Sequence, residues 1–279
     1  MSLAKLPELC APHGRQVKFH LPPQAMEKWQ PSLQAATETD NSISVLDVIG
    51  QDWWTGEGVT AKRIAAALRS IGADNPVTVN INSPGGDMFE GTAIYNLLRM
   101  HRGHVTVRVL GMAASAASII AMAADEIQIG RPSFFMIHNC WVTAAGNRHE
   151  FREMSEWMEP FDTAMADVYA ARTGLSNADI AKMMDRETWI GGSSAVEQGF
   201  ADSLLEDDSV KEGEGKAQAT AVRRLEATLR SSGMPRSEAQ KLISDFKSSL
   251  SDSAGNSSLS DSAADLAASL QSLKTTLKV

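Results

Sequence analysis

The chain has 279 residues, enough for one large domain or one domain with extensions, and its 43% hydrophobic and 22% charged residues are typical of a soluble globular protein. The formal net charge of −8 argues against a general nucleic-acid binder, because there is no surplus of Lys and Arg to neutralise phosphates. The two cysteines, Cys10 and Cys140, lie far apart, which argues against a disulfide framework and a zinc-binding spacing and favours a reducing compartment.

Neither a secretory signal nor a membrane-spanning segment is predicted. The first residues, "MSLAKLPELCAPHG", carry proline and charge where a signal peptide has a continuous apolar run. The most apolar run, residues 109–124, is short for a bilayer and ends at Asp125. We therefore predict a buried core helix in this run, a cytoplasmic protein and no membrane partner.

Short β-rich runs alternate with helical runs from about residue 43 to residue 140. This alternation predicts βαβ units and a largely parallel sheet, with ligand sites at the carboxyl ends of the strands. The predicted strands are 43–49, 76–81, 104–110, 126–130 and 133–139, and the predicted helices are 55–72, 92–100 and 116–124.

A long helix is predicted over residues 148–171, where apolar residues recur at spacings of three and four. Pro160 lies inside this stretch, so a kink or a break is expected there. The apolar stripe fits a helix that covers the sheet, and it equally fits a projecting helix that packs on another subunit. Residues 175–184 predict a further helix, with Ser176 or Asn177 as its N-terminal cap.

Composition divides the chain into three regions. Residues 1–40 contain proline without a clear period and are interpreted as an N-terminal extension. Residues 41–207 form the predicted α/β domain. From residue 208 to residue 279 the sequence changes to a linker followed by weakly helical, Ser-rich sequence, which predicts a partly ordered C-terminal extension.

The stretch "GMAASAASII" places Ser115 among small residues at a strand-to-helix junction. Small residues let two helices pack closely, or they leave room for a molecule to approach the hydroxyl. A nucleophilic serine needs a base, a group that orients the base, and N–H donors for an oxyanion. His138 follows a predicted strand and could be the base, and "DRET" offers Asp185 and Glu187 as the orienting acid.

The second unusual junction, "NSPGGD", could supply the oxyanion donors. Pro84 fixes one backbone angle, and Gly85 and Gly86 reach backbone angles that are closed to other residues. Free N–H groups there, together with the N–H after Ser115, could bind a developing negative charge. Taken singly, each of these features is more often structural. Their combination at strand ends favours a catalytic site.

Four stretches resemble, in register, segments of the proteolytic subunit of the Clp protease (ClpP). The resemblance spans about residues 43–205, and the four stretches are "INSPGGDMFEGTAIYNLL", "GMAASAASIIAMAADEI", "FFMIHN" and "DRETWIGGSSAVEQGFAD". It implies a ClpP/crotonase-type spiral of βαβ units, in which residues 148–171 form the projecting handle helix between two rings of subunits.

The resemblance also implies roles for single residues. Ser115 matches the nucleophile, His138 the general base, and Gly86 and Ala116 the oxyanion-hole donors. The position of the family's acid, typically Asp, falls on Glu187, with Asp185 as the fallback. An extended polypeptide substrate is expected to bind along residues Gly85, Gly86, Asp87 and Met88 on one side and Asn139, Cys140 and Trp141 on the other, continuing to Val142. No metal and no cofactor are expected in this site.

The N-terminal segment does not resemble the axial loop that contacts an unfoldase ATPase, and the region beyond residue 207 is foreign to the housekeeping enzyme. With its "ETW" and "GLS" stretches, the chain is most similar to phage or prophage head-maturation proteases. This similarity implies a ring-forming homo-oligomer, such as two stacked heptamers, that cleaves capsid or scaffold proteins in the host cytoplasm or the assembling prohead.

Other function classes remain open from the residues alone. The first is a general ClpP-like subunit that works with an ATPase. The second is a crotonase-like acyl-CoA enzyme, which has an oxyanion hole but no Ser–His pair. An enzyme like the signal-peptide peptidases would use a Lys base, and a non-catalytic assembly protein would have kept only the fold.

Overall fold

A computed structural model describes residues 22–35, 40–51, 58–205 and 210–212, together with residues 225, 229, 234, 238, 239 and 241–245. The chain divides into two compact units, residues 1–215 and residues 216–279. In the second unit, residues 238, 239 and 241–245 are helical, and the side chains of Leu229, Ala239 and Ile243 are buried. The strands and helices between residues 23 and 212 belong to the first unit.

The first unit alternates strands and helices along the chain. In chain order its elements are α1 (Pro23–Lys28), β1 (Leu33–Ala35), β2 (Ser42–Val45), α2 (Ala61–Ile71), β3 (Val77–Ser83), α3 (Met88–Arg99), β4 (Val105–Ala114), α4 (Ala116–Ala121), β5 (Glu126–Ile129), β6 (Phe134–Ile137), α5 (Arg148–Thr173), α6 (Asn177–Asp185), β7 (Thr188–Gly191), α7 (Gly192–Glu197), β8 (Ser203–Leu204) and β9 (Val210–Glu212).

The main sheet is largely parallel, which confirms the predicted fold class. Strands β2, β3, β4, β5 and β8 pair in that order, and β7 joins β6 antiparallel. Strand β4 changes partner along its length. Its residues 106–109 pair with β5, whereas residues 112–114 pair with β6. On the other side of β4, Ala113 pairs with Ser83 of β3. The carboxyl ends of β3, β4 and β6 therefore lie side by side.

Apolar residues fill the central strands and hold the sheet between helices. Val107 and Val109 of β4 and Ile127 and Ile129 of β5 have no exposed surface. Burying such a side chain stabilises the fold by about 1.5–3 kcal/mol, and in β5 these apolar residues alternate with the half-buried Glu126 and Gln128. These strands were predicted from the same runs.

Close packing of α3 on α4 explains part of the small-residue stretch. A Cβ added at Gly91 of α3 would lie 2.9 Å from the Cβ of Ala116 in α4. Helix α3 begins at Met88, earlier than predicted, because the Asp87 carboxylate accepts the N–H of Glu90 at 3.0 Å and caps the helix. Strand β4 runs through "GMAA" to Ala114, so this part of the stretch is strand.

Helix α5 runs from Arg148 to Thr173 without a break at Pro160. It starts with a capping box, in which Asn147 and Glu150 satisfy each other's backbone N–H groups. Strand β7 was not predicted, because its Gly-Gly end is typical of a turn. Its pairing with β6 decides its conformation.

Described residues on both sides of the 41–207 region form local structure. Residues 33–35 of β1 pair antiparallel with residues 210–212 of β9. Trp29 is 1% exposed, and its indole N–H donates to the carbonyl of Asn82 at 2.9 Å. Parts of the interpreted extension thus pack on the domain. Across the described residues, no helix combines the length and the apolar character needed to span a bilayer.

Candidate active site

A hydroxyl and an imidazole from separate segments meet where β4 and β6 end. Ser115 follows β4 directly, and His138 follows β6 directly. The Nε2 atom of His138 lies 2.7 Å from the Oγ atom of Ser115, which is hydrogen-bond distance. The structure therefore brings together the two side chains that the sequence singled out.

Ser115 is held in a strained backbone conformation. Its φ is 55° and its ψ is −128°, in a region that residues with a Cβ rarely adopt. Such a conformation costs about 1–3 kcal/mol and clusters at functional sites. The N–H of Ser115 donates to the carbonyl of Met136 in β6 at 2.8 Å, which ties the serine to the strand that carries the imidazole.

The Gly-Gly pair lies beside Ser115 and leaves no room for side chains. A Cβ at Gly85 (φ 93°) would lie 2.6 Å from the Cβ of Ser115, and one at Gly86 (φ 153°) would lie 2.0 Å from the carbonyl oxygen of Ile49. Ile49 anchors this loop on both sides, because its N–H donates to Gly85 at 2.8 Å and its carbonyl accepts from Asp87 at 3.0 Å. Gly86 is therefore fixed in place next to the serine.

A narrow cleft of about 20 Å³ contains most of the predicted site residues. Its lining comprises Gly86, Met88, Ser115, Ala116, His138, Asn139, Cys140, Trp141, Met165 and Tyr169. Two of the predicted substrate-binding residues, Gly85 and Asp87, do not line this cleft. Gly85 packs against Ser115, and the Asp87 side chain caps α3. The last two lining residues, Met165 and Tyr169, come from α5 and were not predicted to belong to the site. Met165 belongs to the apolar stripe of the predicted helix, which is also typical of ordinary packing, and no sequence signal marked Tyr169.

Burial sets the protonation of His138. The residue is 6% exposed, and desolvation lowers the pKa of its imidazole from 6.5 to about 4, against a smaller opposing effect of the Asn139 backbone. The ring is therefore neutral at pH 7. A neutral ring nitrogen can accept the proton of the Ser115 hydroxyl.

Neither candidate acid hydrogen-bonds to His138 within the described part of the chain. The Asp185 carboxylate accepts from the side-chain amide of Asn139 at 2.8 Å. Glu187 is half-buried and has a φ of 49°, and its N–H donates to the carbonyl of Met184 at 3.0 Å. The geometry thus gives Asp185 another partner and leaves the Glu187 carboxylate without a hydrogen bond among these residues.

A third carboxylate, Asp162 of α5, holds the segment after His138. It accepts the backbone N–H of Cys140 at 2.6 Å, so that N–H is not available to a substrate strand. Burial raises the pKa of Asp162, and the nearby charge of Asp185 raises it further. Burial likewise raises the pKa of the Cys140 thiol, whose sulfur lies 3.3 Å from the sulfur of Met88. This thiol is therefore protonated and packs as an apolar group.

Among the described residues, no three His, Cys, Asp or Glu side chains are grouped so that they could hold a metal ion. The arrangement that is present, a strained serine against a neutral buried imidazole with a glycine loop beside it, is suited to nucleophilic attack on a carbonyl.

Comparisons with known proteins point to a single family. The model of the Clp protease family matches residues 56–208. ATP-dependent Clp protease proteolytic subunit 2 of Treponema denticola is 31% identical over 142 residues, which cover 50% of this chain and 71% of that protein. The proteolytic subunit of Deinococcus radiodurans is 27% identical over 164 residues, covering 57% of this chain and 79% of that protein. Among solved structures, a mutant of ClpP1 from Listeria monocytogenes superposes with a TM-score of 0.50 at 25% identity, covering 60% of this chain and 92% of that chain.

Proposed function

Because the chain belongs to the Clp protease family and is a serine-type endopeptidase, we propose that Ser115 is its nucleophile and His138 its general base. The observation that supports this most directly is the 2.7 Å distance between Ser115 Oγ and His138 Nε2. The N–H groups of Gly86 and Ala116 form the oxyanion hole. Residues 41–207 make up the peptidase domain, and the family match over residues 56–208 supports that extent.

The proposed reaction proceeds through an acyl-enzyme. The imidazole of His138 takes the proton of Ser115 while the serine oxygen attacks the peptide carbonyl. The two N–H groups stabilise the oxyanion, and the imidazolium then gives its proton to the leaving amine. Water, activated by the same imidazole, hydrolyses the ester and frees Ser115. Glu187, with Asp185 as the fallback, stabilises the imidazolium.

The polypeptide substrate lies extended in the cleft, and its backbone pairs with residues 86–88 and 139–142. Because the Cys140 N–H already donates to Asp162, the pairing on that side uses the other backbone groups of the segment. Main-chain pairing reads few side chains, so we expect modest sequence specificity.

Labelling by a fluorophosphonate probe tests the assignment of Ser115. The purified full chain is expected to be labelled at Ser115, and heat-denatured protein is expected to remain unlabelled. A crotonase-like enzyme or a non-catalytic assembly protein would leave native Ser115 unlabelled, and that outcome would refute the proposal.

The pH dependence of labelling should follow the buried imidazole. Only the neutral ring is a base, so we expect the rate to hold down to about pH 5 and to fall with an apparent pKa near 4. An ordinary histidine would give a midpoint near 6.5. The measurement is the labelling rate from about pH 3.5 to about pH 8. A midpoint at about 6.5 or above would contradict the desolvated base.

The same shift makes folding stability depend on pH. Between pH 6.5 and about 4 the unfolded chain binds a proton at this residue that the folded chain does not bind. Protonation of His138 in the unfolded chain therefore lowers the free energy of unfolding as pH falls through this window. In a His138→Ala variant this contribution to the pH dependence of the free energy of unfolding should be absent.

Paired isosteric variants decide which carboxylate is the acid. Glu187→Gln is expected to lower kcat by about 10⁴-fold, because an amide cannot stabilise the imidazolium. Asp185→Asn is expected to change kcat by less than about tenfold, since its carboxylate is bound to the Asn139 amide. Peptide hydrolysis by both variants is the measurement. The reverse order would assign the acid to Asp185, and two fully active variants would refute the triad.

We further propose that the substrates are capsid or scaffold proteins during phage head maturation. Support comes from the chain beyond the family match, since residues 216–279 form a compact unit of their own. The alternative is a general subunit that works with an ATPase; the two relatives above are named as proteolytic subunits of an ATP-dependent Clp protease. Two measurements distinguish the maturation role from the ATPase-dependent role. One is intact-mass analysis of the wild type beside Ser115→Ala, and the other is cleavage of an unfolded protein in the absence of nucleotide. Ser115-dependent cleavage without an ATPase supports the maturation role, and cleavage confined to short peptides supports the alternative.

Members of the family form ring-shaped homo-oligomers, and we propose that this chain does so as two heptamers stacked through α5. The helix has 26 residues and is about 39 Å long at 1.5 Å per residue. Phe151 in its first turn is 50% exposed, which supports a contact with another subunit at this end. The location of such an assembly would be the host cytoplasm or the prohead.

A further inference from the structure

Two buried hydroxyl groups connect the long helix α5 to the backbone of Ser115. The Tyr169 oxygen lies 2.7 Å from Ser118 Oγ, and Ser118 Oγ lies 2.6 Å from the carbonyl oxygen of Ser115. Ser118 is 0% exposed and Tyr169 is 1% exposed. Neither residue belongs to the triad or to the oxyanion hole described above.

The direction of this chain of hydrogen bonds follows from counting protons. A serine hydroxyl has one hydrogen, and Ser118 gives it to the Ser115 carbonyl. The Tyr169 hydroxyl must therefore donate to Ser118. Burial raises the pKa of Tyr169, which keeps this donor protonated. Donor and acceptor in series polarise each other and strengthen both bonds.

Holding the Ser115 carbonyl also fixes the N–H of Ala116. Both groups belong to one planar trans peptide unit and point in opposite directions. The Ser115 carbonyl accepts three hydrogen bonds, from Ser118 Oγ at 2.6 Å, from the Ser118 N–H at 2.9 Å and from the Ile119 N–H at 3.4 Å. Because Ser115 has a strained φ of 55°, its peptide unit needs such restraint to keep one orientation.

We propose that Tyr169 and Ser118 are positioning residues that aim the Ala116 N–H at the oxyanion, an inference that rests on the proposed function. Tyr169 lies on α5 and lines the cleft, so the placement of this helix is transmitted to the oxyanion hole through two hydroxyl groups. The residues touch no reacting atom and act on the transition state only through the peptide unit between Ser115 and Ala116.

Tyr169→Phe and Ser118→Ala are each expected to lower kcat about tenfold, the ratio that corresponds to one buried neutral hydrogen bond. KM should stay within about twofold, because the donor acts mainly on the developing oxyanion. The fluorophosphonate labelling rate should fall in the same ratio as kcat. The acid midpoint of the rate should not move, since neither residue contacts the imidazole.

The double variant provides the strongest test. If the two hydroxyl groups act as one relay, kcat of the double variant Tyr169→Phe/Ser118→Ala should be no lower than kcat of the slower single variant. Tyr95→Phe, which alters the other tyrosine of the chain, is the matched control and should retain wild-type kcat. Should Tyr169→Phe fail to fold in a thermal scan, Ser118→Ala alone decides, because it removes a single oxygen.

Two results would overturn the relay while leaving the proposed function intact. One is a kcat in both single variants within about twofold of Tyr95→Phe. The other is multiplied losses in the double variant, which would show independent effects. A wild-type protein that is neither labelled nor active would instead remove the proposed function, and the relay with it.

Discussion

Replacing Ser115 with alanine is expected to lower kcat for peptide hydrolysis by about a million-fold, to the rate that binding and the oxyanion hole alone support. Alanine has no oxygen to attack the carbonyl, so no acyl-enzyme forms. The measurement is single-turnover hydrolysis of a fluorogenic peptide at high enzyme concentration, with fluorophosphonate labelling as a second readout.

The fold of the Ser115→Ala variant should be preserved, which makes the loss interpretable. Alanine has a Cβ like serine and experiences the same strain at φ 55°, and Ser115 Oγ makes its hydrogen bond only to His138 among the described residues. The thermal midpoint should therefore stay close to that of wild type. Ser193→Ala, which alters an exposed serine on α7, is the matched control and should retain full activity. Persistent cleavage by purified Ser115→Ala would assign the nucleophile elsewhere.

Replacing His138 with alanine should cost nearly as much, because a serine without a base within reach is a weak nucleophile. In a comparable triad, loss of the base alone is about as damaging as loss of all three members. We therefore expect a fall in kcat of about 10⁶-fold, measured with the same peptide. The double variant Ser115→Ala/His138→Ala should be no slower than either single variant.

The His138 prediction also separates two kinds of serine enzyme. Full activity of His138→Ala would favour a Lys base, as in enzymes like the signal-peptide peptidases. His104→Ala is the matched control, since that histidine is exposed and lies near Asp125 and Glu126, at 3.8 Å and 3.9 Å. Equal losses in the two histidine variants would show that the effect is not specific to the site.

Much of the fold could be predicted from the sequence because the signals are local. Strands β3, β4 and β5 carry regularly placed buried apolar residues, and their alternation with helices left a parallel sheet as the simplest arrangement. The cap at Asp87 and the strand β7 were not predicted. The cap depends on where α3 begins, and the conformation of β7 depends on its pairing with β6, which is distant in sequence.

The candidate nucleophile, base and oxyanion donors were recognisable for a related reason. Ser115, His138 and the Gly-Gly pair each follow a strand, and carboxyl ends of parallel strands share one edge of the sheet. The acid had no such signal. Asp185 ends α6 and Glu187 follows two residues later, and this spacing does not indicate which carboxylate can reach His138.

The amino-acid sequence by itself determined the family, the parallel sheet and the strand ends at which chemistry is expected, because these depend on periodicity and on short motifs. Only the tertiary structure decided that Asp162 occupies the Cys140 N–H, that Asp185 binds Asn139, and that two buried hydroxyl groups connect α5 to Ser115. Apart from the contact between Ser118 and Ser115, which is local to the start of α4, these contacts join groups from separate parts of the chain at hydrogen-bond distance. Such distances depend on how the elements pack, which no local pattern encodes.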